Sequence, residues 1–291
     1  MISAQQVNAY RDNGYLVVEN AIEPTLLERL RKATAEFIER SREVSVSDSI
    51  YDIGLGHSPD RPVVRRLKNP HQQHCVYDQA MRSPRLVSIV KALLGTDVRF
   101  DHSKLNFKPL GGDAAVEWHQ DWAFYPHTND DILAVGVMLQ DCDLENGPLM
   151  VIPGSHKGPI YDHHHNGYFV GALDPNDADA VIGNAVALTG KAGSASFHHV
   201  RTIHGSAENR SCGDRPILLF SYAAVDAWPL VDVYDWDEFN SRILTGDVTW
   251  APRQKPLPIR IPLPKVPVAD SIYDDQASIR GRSFAKISAS H

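Results

Sequence analysis

The sequence predicts a mainly β protein carrying a layer of N-terminal helices. Helix-period apolar spacing is confined to the stretch before Gly95. Beyond Gly95, short β-like runs alternate with turn residues, the pattern of an all-β barrel or sandwich. A hydrophobic share of 43% against 22% charged residues supplies a sizeable core and argues against disorder.

Residues 5–13 read as a short helix stopped at Asn13-Gly14, and 15–19 as a strand. Residues 25–40 place Leu26, Leu27, Leu30, Ala33, Phe37 and Ile38 on one helical stripe, with Pro24 at the entry. The polar stretch 41–73 reads as loop, and 76–81 and 84–94 as helices. Runs at 98–108, 132–139, 149–152, 185–188, 195–203 and 216–225 read as strands. Gly111-Gly112, Glu145-Asn-Gly-Pro148, Pro153-Gly-Ser155 and 207–214 read as turns. The tail from Arg253 is too rich in proline for a central strand and is expected to wrap the surface. The organisation expected is one domain over 1–291: a helical layer at 1–96, a β core with the site at 97–230, and a C-terminal wrap at 231–291.

The formal net charge of −7 disfavours nucleic acid or anionic membrane as a partner. The longest apolar run, 132–139, is far short of the roughly 20 residues a membrane span needs. The N-terminus lacks the layout of a secretory signal. Cys75, Cys142 and Cys212 form neither a disulfide framework nor a metal motif and read as reduced thiols, which favours a cytoplasmic setting.

Chemistry concentrates at Trp118-His-Gln-Asp-Trp122. On a strand, residues i and i+2 share a face, so His119 and Asp121 present an imidazole and a carboxylate to one point. His204 is the expected third ligand, with His198 and His199 as competitors. Two histidines and one carboxylate leave open positions on an octahedral metal, the set used by non-heme Fe(II) oxygenases. Past His204 and Ser206, the chain turns and restarts at Arg215. A hairpin there returns Arg215 beside the strand of His204, where a guanidinium suits the far carboxylate of a dicarboxylate.

These motifs, with Asn146-Gly-Pro-Leu-Met-Val-Ile-Pro-Gly-Ser-His-Lys157 and His204-Gly-Ser followed by Asn209 and Arg215, resemble the phytanoyl-CoA dioxygenase family of Fe(II)- and 2-oxoglutarate-dependent oxygenases. The likeness covers roughly residues 5–225. It implies a double-stranded β-helix, a cupin-like jelly roll, with Fe(II) on His119, Asp121 and His204. It implies that Arg215, helped by Ser206, holds the distal carboxylate of the cosubstrate 2-oxoglutarate. Lys104, or the more upstream Lys68, matches a basic residue that family members set against the cosubstrate. Where the family often has Trp on the strand after the motif, this sequence has Val137. The activity implied is oxidation of a small organic substrate with O2, releasing succinate and CO2. The carboxylate at Asp121 predicts oxygenation and not halogenation.

Competing readings are a cupin-like metalloenzyme that does not use 2-oxoglutarate, which has no need of Arg215, and a barrel that binds metal or ligand without catalysis. Open metal positions speak against a purely structural site. His163-His164-His165 reads as a solvated loop. Trp118 and Trp122 read as pocket lining or core, and Gly147 and Pro148 as turn formers. The alternating face of His102, Lys104, Asn106 and Lys108 reads as solvated or as a polar barrel interior. No compact basic patch for a coenzyme A thioester is evident. Substrate contacts are expected from 41–73, 158–184 and 226–260.

Overall fold

A computed structural model describes residues 2–95, 97–109, 115–231, 235–265, 272–276 and 284; the Gly111-Gly112 turn and the remainder of the tail lie outside them. The first helix, Ala4–Asn13, opens with a capping box in which Ser3 and Gln6 satisfy each other's backbone N–H groups. It closes at Gly14 in the left-handed region (φ 78°). A Cβ at Gly14 would stand 2.6 Å from the Thr202 hydroxyl, so glycine is required for close approach as well as for its φ. Helix Pro24–Arg40 buries Leu27, Leu30, Ala33 and Phe37. With helices Cys75–Met81 and Pro84–Leu94 it covers one face of the largest sheet.

The strands are β1 (Tyr15–Val18), β2 (Tyr51–Ile53), β3 (Val64–Lys68), β4 (Val98–Lys108), β5 (Val116–His119), β6 (Ile132–Met138), β7 (Leu149–Val151), β8 (His164–His165), β9 (Tyr168–Phe169), β10 (Val186–Leu188), β11 (Ala195–His199), β12 (His204–Ser206), β13 (Arg215–Ala224) and β14 (Ile243–Thr245). The larger sheet runs β1-β11-β6-β13-β4-β3-β2, with β14 also on β4; the smaller runs β10-β7-β12-β5, and β8 and β9 pair apart from both. Their ladders are antiparallel. Two such sheets facing each other make the jelly roll. Central β6 is buried along its whole length. Leu133, Val135 and Val137 face the helical layer, while Ala134 faces the cavity between the sheets. Pro216 interrupts nothing in the β6 ladder, because that pairing begins at Ile217.

Three expectations need correction. The stretch 41–73 contains β2 and β3, which extend the larger sheet: Val64 and Leu67 are buried while Arg66 and Lys68 are not. Its short strands and many charges hid that pattern. The run 195–203 stops as a strand at His199, and a turn through 200–203 carries the chain across to the other sheet. Arg215 therefore does not return in a hairpin with His204: β12 pairs with β5 and β7, and β13 with β4 and β6. The proline-rich tail does run along the surface, then re-enters as helix Ile272–Gln276, two of whose residues line the cavity.

The surface run is held by charge. Buried Asp130 accepts from Lys255 Nζ (2.7 Å) and from Arg201 (3.0 Å). Asp131 and Asp226 grip Arg253. Burial raises the Asp130 carboxyl pKa, but these cations outweigh it and hold it at about 2. Asp130→Ala removes the carboxylate from Arg201 while Lys255 keeps Asp131 (2.7 Å), and is expected to cost about 1–3 kcal/mol, read as a lowered urea midpoint.

Candidate metal and cosubstrate site

β5 and β12 lie side by side with His119 opposite His204. His119 Nδ1 lies 2.8 Å from the Glu117 carbonyl, and His204 Nδ1 lies 2.9 Å from the Thr202 carbonyl. A carbonyl only accepts, so each Nδ1 donates and each Nε2 keeps its lone pair for the cavity. Asp121 is not on the strand itself. It begins a 3₁₀ turn, Asp121–Ala123, but the extended Gln120 (φ −116°, ψ 128°) preserves the i, i+2 relation. Asp121 Oδ1 stands 3.9 Å from Nε2 of both His119 and His204. One ligand atom from each of the three residues lies within 4.8 Å of the others, and all three residues are buried. The donor set therefore fits a divalent ion.

The competing histidines are placed elsewhere. His198 points inward, its Nε2 3.3 Å from the second Asp121 oxygen, Oδ2. It orients the carboxylate from behind the three-residue set. His199 points away, toward Asp130 and His156. Burial lowers the His119 pKa to about 4, and burial with neighbouring imidazoles holds that of His204 well below its usual value, so both are ready as neutral ligands. Burial raises the Asp121 carboxyl pKa, but His204, His198 and Lys104 hold it well below the usual range.

His163 is not part of a solvated loop. It is 1% exposed, donates from Nδ1 to the Tyr161 carbonyl (2.9 Å), and accepts at Nε2 from the Gln120 N–H (2.8 Å). Gln120 turns its side chain away from the metal ligands onto the Pro159 and Arg201 carbonyls and the Tyr161 N–H. These bonds pin the residue between His119 and Asp121 from outside. No sequence spacing announced His163, because its partners are backbone groups. Trp118 and Trp122 are core: Trp118 stacks on Phe284 (centroids 5.0 Å apart), and Trp122 donates to the Pro258 carbonyl.

The cavity beside these ligands is lined by His102, Lys104, Asn106 and Lys108 of β4, so that face is a polar interior. Ser206, Arg215 and Tyr273 also line it. Arg215 faces Ser206 across the gap between the sheets. Its guanidinium is buried and donates to the Asn146 carbonyl (3.3 Å) and the Gly147 carbonyl. Asn146 and Gly147 thus aim Arg215 as well as forming a turn. Among the described residues no carboxylate meets Arg215. Burial lowers its pKa; it also lowers that of Lys108, to which Arg215 adds repulsion. Val137 belongs to the opposite face of β6, so the cavity-facing residue of that strand is Ala134. Lys68 is absent from this cavity and lies in a second chamber, whereas Lys104 borders both.

The family described as phytanoyl-CoA dioxygenase (PhyH) matches residues 10–217. The chain belongs to this family. A probable alpha-ketoglutarate-dependent hypophosphite dioxygenase of Stutzerimonas stutzeri is 35% identical over 285 residues, covering 97% of this chain and 99% of that protein. Ectoine dioxygenase of Bordetella bronchiseptica is 28% identical, covering 77% and 76%. The crystal structure of EctD from S. alaskensis with bound Fe superposes with a TM-score of 0.65 at 27% identity, covering 87% of each chain. The protein is an Fe(II)- and 2-oxoglutarate-dependent dioxygenase on a jelly-roll fold. No helix among the described residues is long and apolar enough to cross a membrane.

The buried histidine behind the ligands gives a pH expectation. Burial holds the His163 pKa at about 3 in the folded protein, against 6.5 for a free imidazole. Between those values the unfolded chain binds more protons, so stability falls as pH drops below about 6.5. Urea melts of the metal-free protein from pH 7 to 5 should show that slope, and His163→Gln should make it shallower.

Proposed function

We propose that His119, Asp121 and His204 hold the Fe(II), and that Arg215 receives the distal carboxylate of 2-oxoglutarate. The observation that carries this is a buried guanidinium with no carboxylate partner among the described residues, in the cavity of three convergent metal ligands. A buried cation without an anion is costly, so the site calls for an anionic occupant at that end. Ser206 adds a hydroxyl beside it. Lys104, close enough to Asp121 to feel its charge, is a second cation in the cavity that would be available to the cosubstrate.

Bound there, Fe(II) and 2-oxoglutarate supply O2 activation, with loss of CO2 and formation of succinate. The chain's residues orient and shield that chemistry. The Glu117 and Thr202 carbonyls fix the imidazoles. His198 fixes the carboxylate, leaving its other oxygen toward the metal. Helix Ile272–Gln276 covers the cavity, with Ile272 and Tyr273 on its wall. Gln276 anchors that helix: its side-chain carbonyl accepts from the Glu117 N–H (2.9 Å), and its amide donates to the Gly171 carbonyl (2.8 Å). An enzyme without 2-oxoglutarate would leave the buried Arg215 with carbonyl partners but no anion among the described residues. Similarity to a probable hypophosphite dioxygenase supports a substrate far smaller than a coenzyme A thioester.

His204→Ala is expected to lose iron, while His199→Ala keeps it; metal analysis of the purified variants decides. Arg215→Ala should weaken 2-oxoglutarate binding by about 1.5–3 kcal/mol, the scale of a charged hydrogen bond. Arg215→Lys should recover only part, because one ammonium cannot match the planar fork. Titration of the visible band of the Fe(II)–2-oxoglutarate chelate measures both, and an unchanged affinity in Arg215→Ala removes the assignment.

A further inference from the structure

The wall of the metal cavity is completed by a piece of chain beyond the family-matched residues 10–217. Tyr273, on helix Ile272–Gln276, is 8% exposed and lines the cavity together with Arg215 and Ser206. It lies close enough to Arg215 for the guanidinium to act on the phenol. The Arg65 guanidinium sits over the other part of the residue, 5.6 Å from the ring centroid. Among the described residues the Tyr273 hydroxyl makes no hydrogen bond. Burial pushes the phenol pKa up, and Arg215 pulls it down without overcoming burial. The hydroxyl therefore keeps its proton and has it to donate. A donor beside a buried guanidinium complements an anion.

The same piece of chain is fastened to the strands of the metal ligands. Gln276 accepts from the Glu117 N–H, two residues before His119, and donates to the Gly171 carbonyl. Farther along, the Phe284 ring stacks on Trp118. A Cβ at Gly205, the neighbour of His204, would stand 2.8 Å from that ring, so β12 is shaped to receive it. Ile272 lines both the metal cavity and the second, outer chamber, so the helix borders both.

We propose that Tyr273 is a cosubstrate-binding residue: its hydroxyl donates to the distal carboxylate of 2-oxoglutarate beside Arg215, so that the bound cosubstrate locks the tail helix in place. The proposal rests on the Arg215 assignment above and adds to it a contact from outside the family-matched region. A contact made only when the helix is docked acts in both directions. The docked tail holds the cosubstrate, and the cosubstrate holds the tail by the same factor. The helix has five residues, too few to be stable alone, so its position depends on such contacts.

The test uses the full chain loaded with Fe(II) under anaerobic conditions, probed with 2-oxoglutarate and with pyruvate. The two acids share the keto-acid end, but pyruvate has no distal carboxylate. Tyr273→Phe keeps the ring and its contact with Arg65 and removes only the hydroxyl. It should weaken 2-oxoglutarate about tenfold in a titration of the chelate band, as for one hydrogen bond to a charged group. Iron content and pyruvate affinity should stay as they are. Hydrogen exchange gives a second reading. Saturating 2-oxoglutarate should slow exchange of the 272–276 amides about tenfold in the unaltered protein, the same factor by reciprocity. Pyruvate should not slow it, and 2-oxoglutarate should lose the effect in Tyr273→Phe. An unchanged 2-oxoglutarate affinity in Tyr273→Phe, an equal loss for pyruvate, or equal protection of the tail by both acids would overturn the proposal. A loss in Tyr273→Phe with none in Arg215→Ala would uphold the Tyr273 contact and bring down the Arg215 assignment beneath it.

Discussion

The site depends on where one proton sits on each imidazole. His119 and His204 both donate from Nδ1 to the backbone carbonyl two residues earlier. This local bond fixes ring orientation and tautomer together, and it costs no other side chain. It also explains why the ligands tolerate burial: a neutral imidazole with one nitrogen satisfied leaves one lone pair for the metal. His163 and His127 make the same bond to Tyr161 and Tyr125. His163 then uses its free nitrogen for the Gln120 N–H, so one motif serves both the ligands and their support.

That arrangement is tied to the helical layer through Gly14. Its carbonyl accepts from the Thr202 hydroxyl (2.8 Å) and the His199 N–H (2.9 Å), at the turn that delivers His204. The N-terminal helix therefore sets the height of a ligand on the opposite sheet, although it contributes nothing to the cavity itself. Coupling of this kind places the ligands by packing and not by loops alone.

What was legible in the sequence follows the range of the interactions concerned. The helices of the first layer, the β character after Gly95 and the three convergent ligands rest on local periodicity and on motif spacing, and the structure places them as read. Three kinds of feature were hidden. β3 is short and more than half charged, so its alternation is weak; its pairing to β2 and β4 makes it a strand. The support for Gln120 and Arg215 comes from a histidine and from carbonyls 39 or more residues away, which leave no pattern. The sheet change between β12 and β13 could not be told from a hairpin, because a polar turn of that composition serves either path.

The tail also has a meaning beyond closure. The matched family region ends at residue 217, yet Lys265, Ile272 and Asp275 stand on the outer chamber wall. The three metal ligands thus lie within the matched region, while part of the wall around them lies beyond it. Because Tyr273 also lines the metal cavity and Gln276 holds the Glu117 N–H two residues before a ligand, a change in the tail reaches the reactive centre as well as the outer wall.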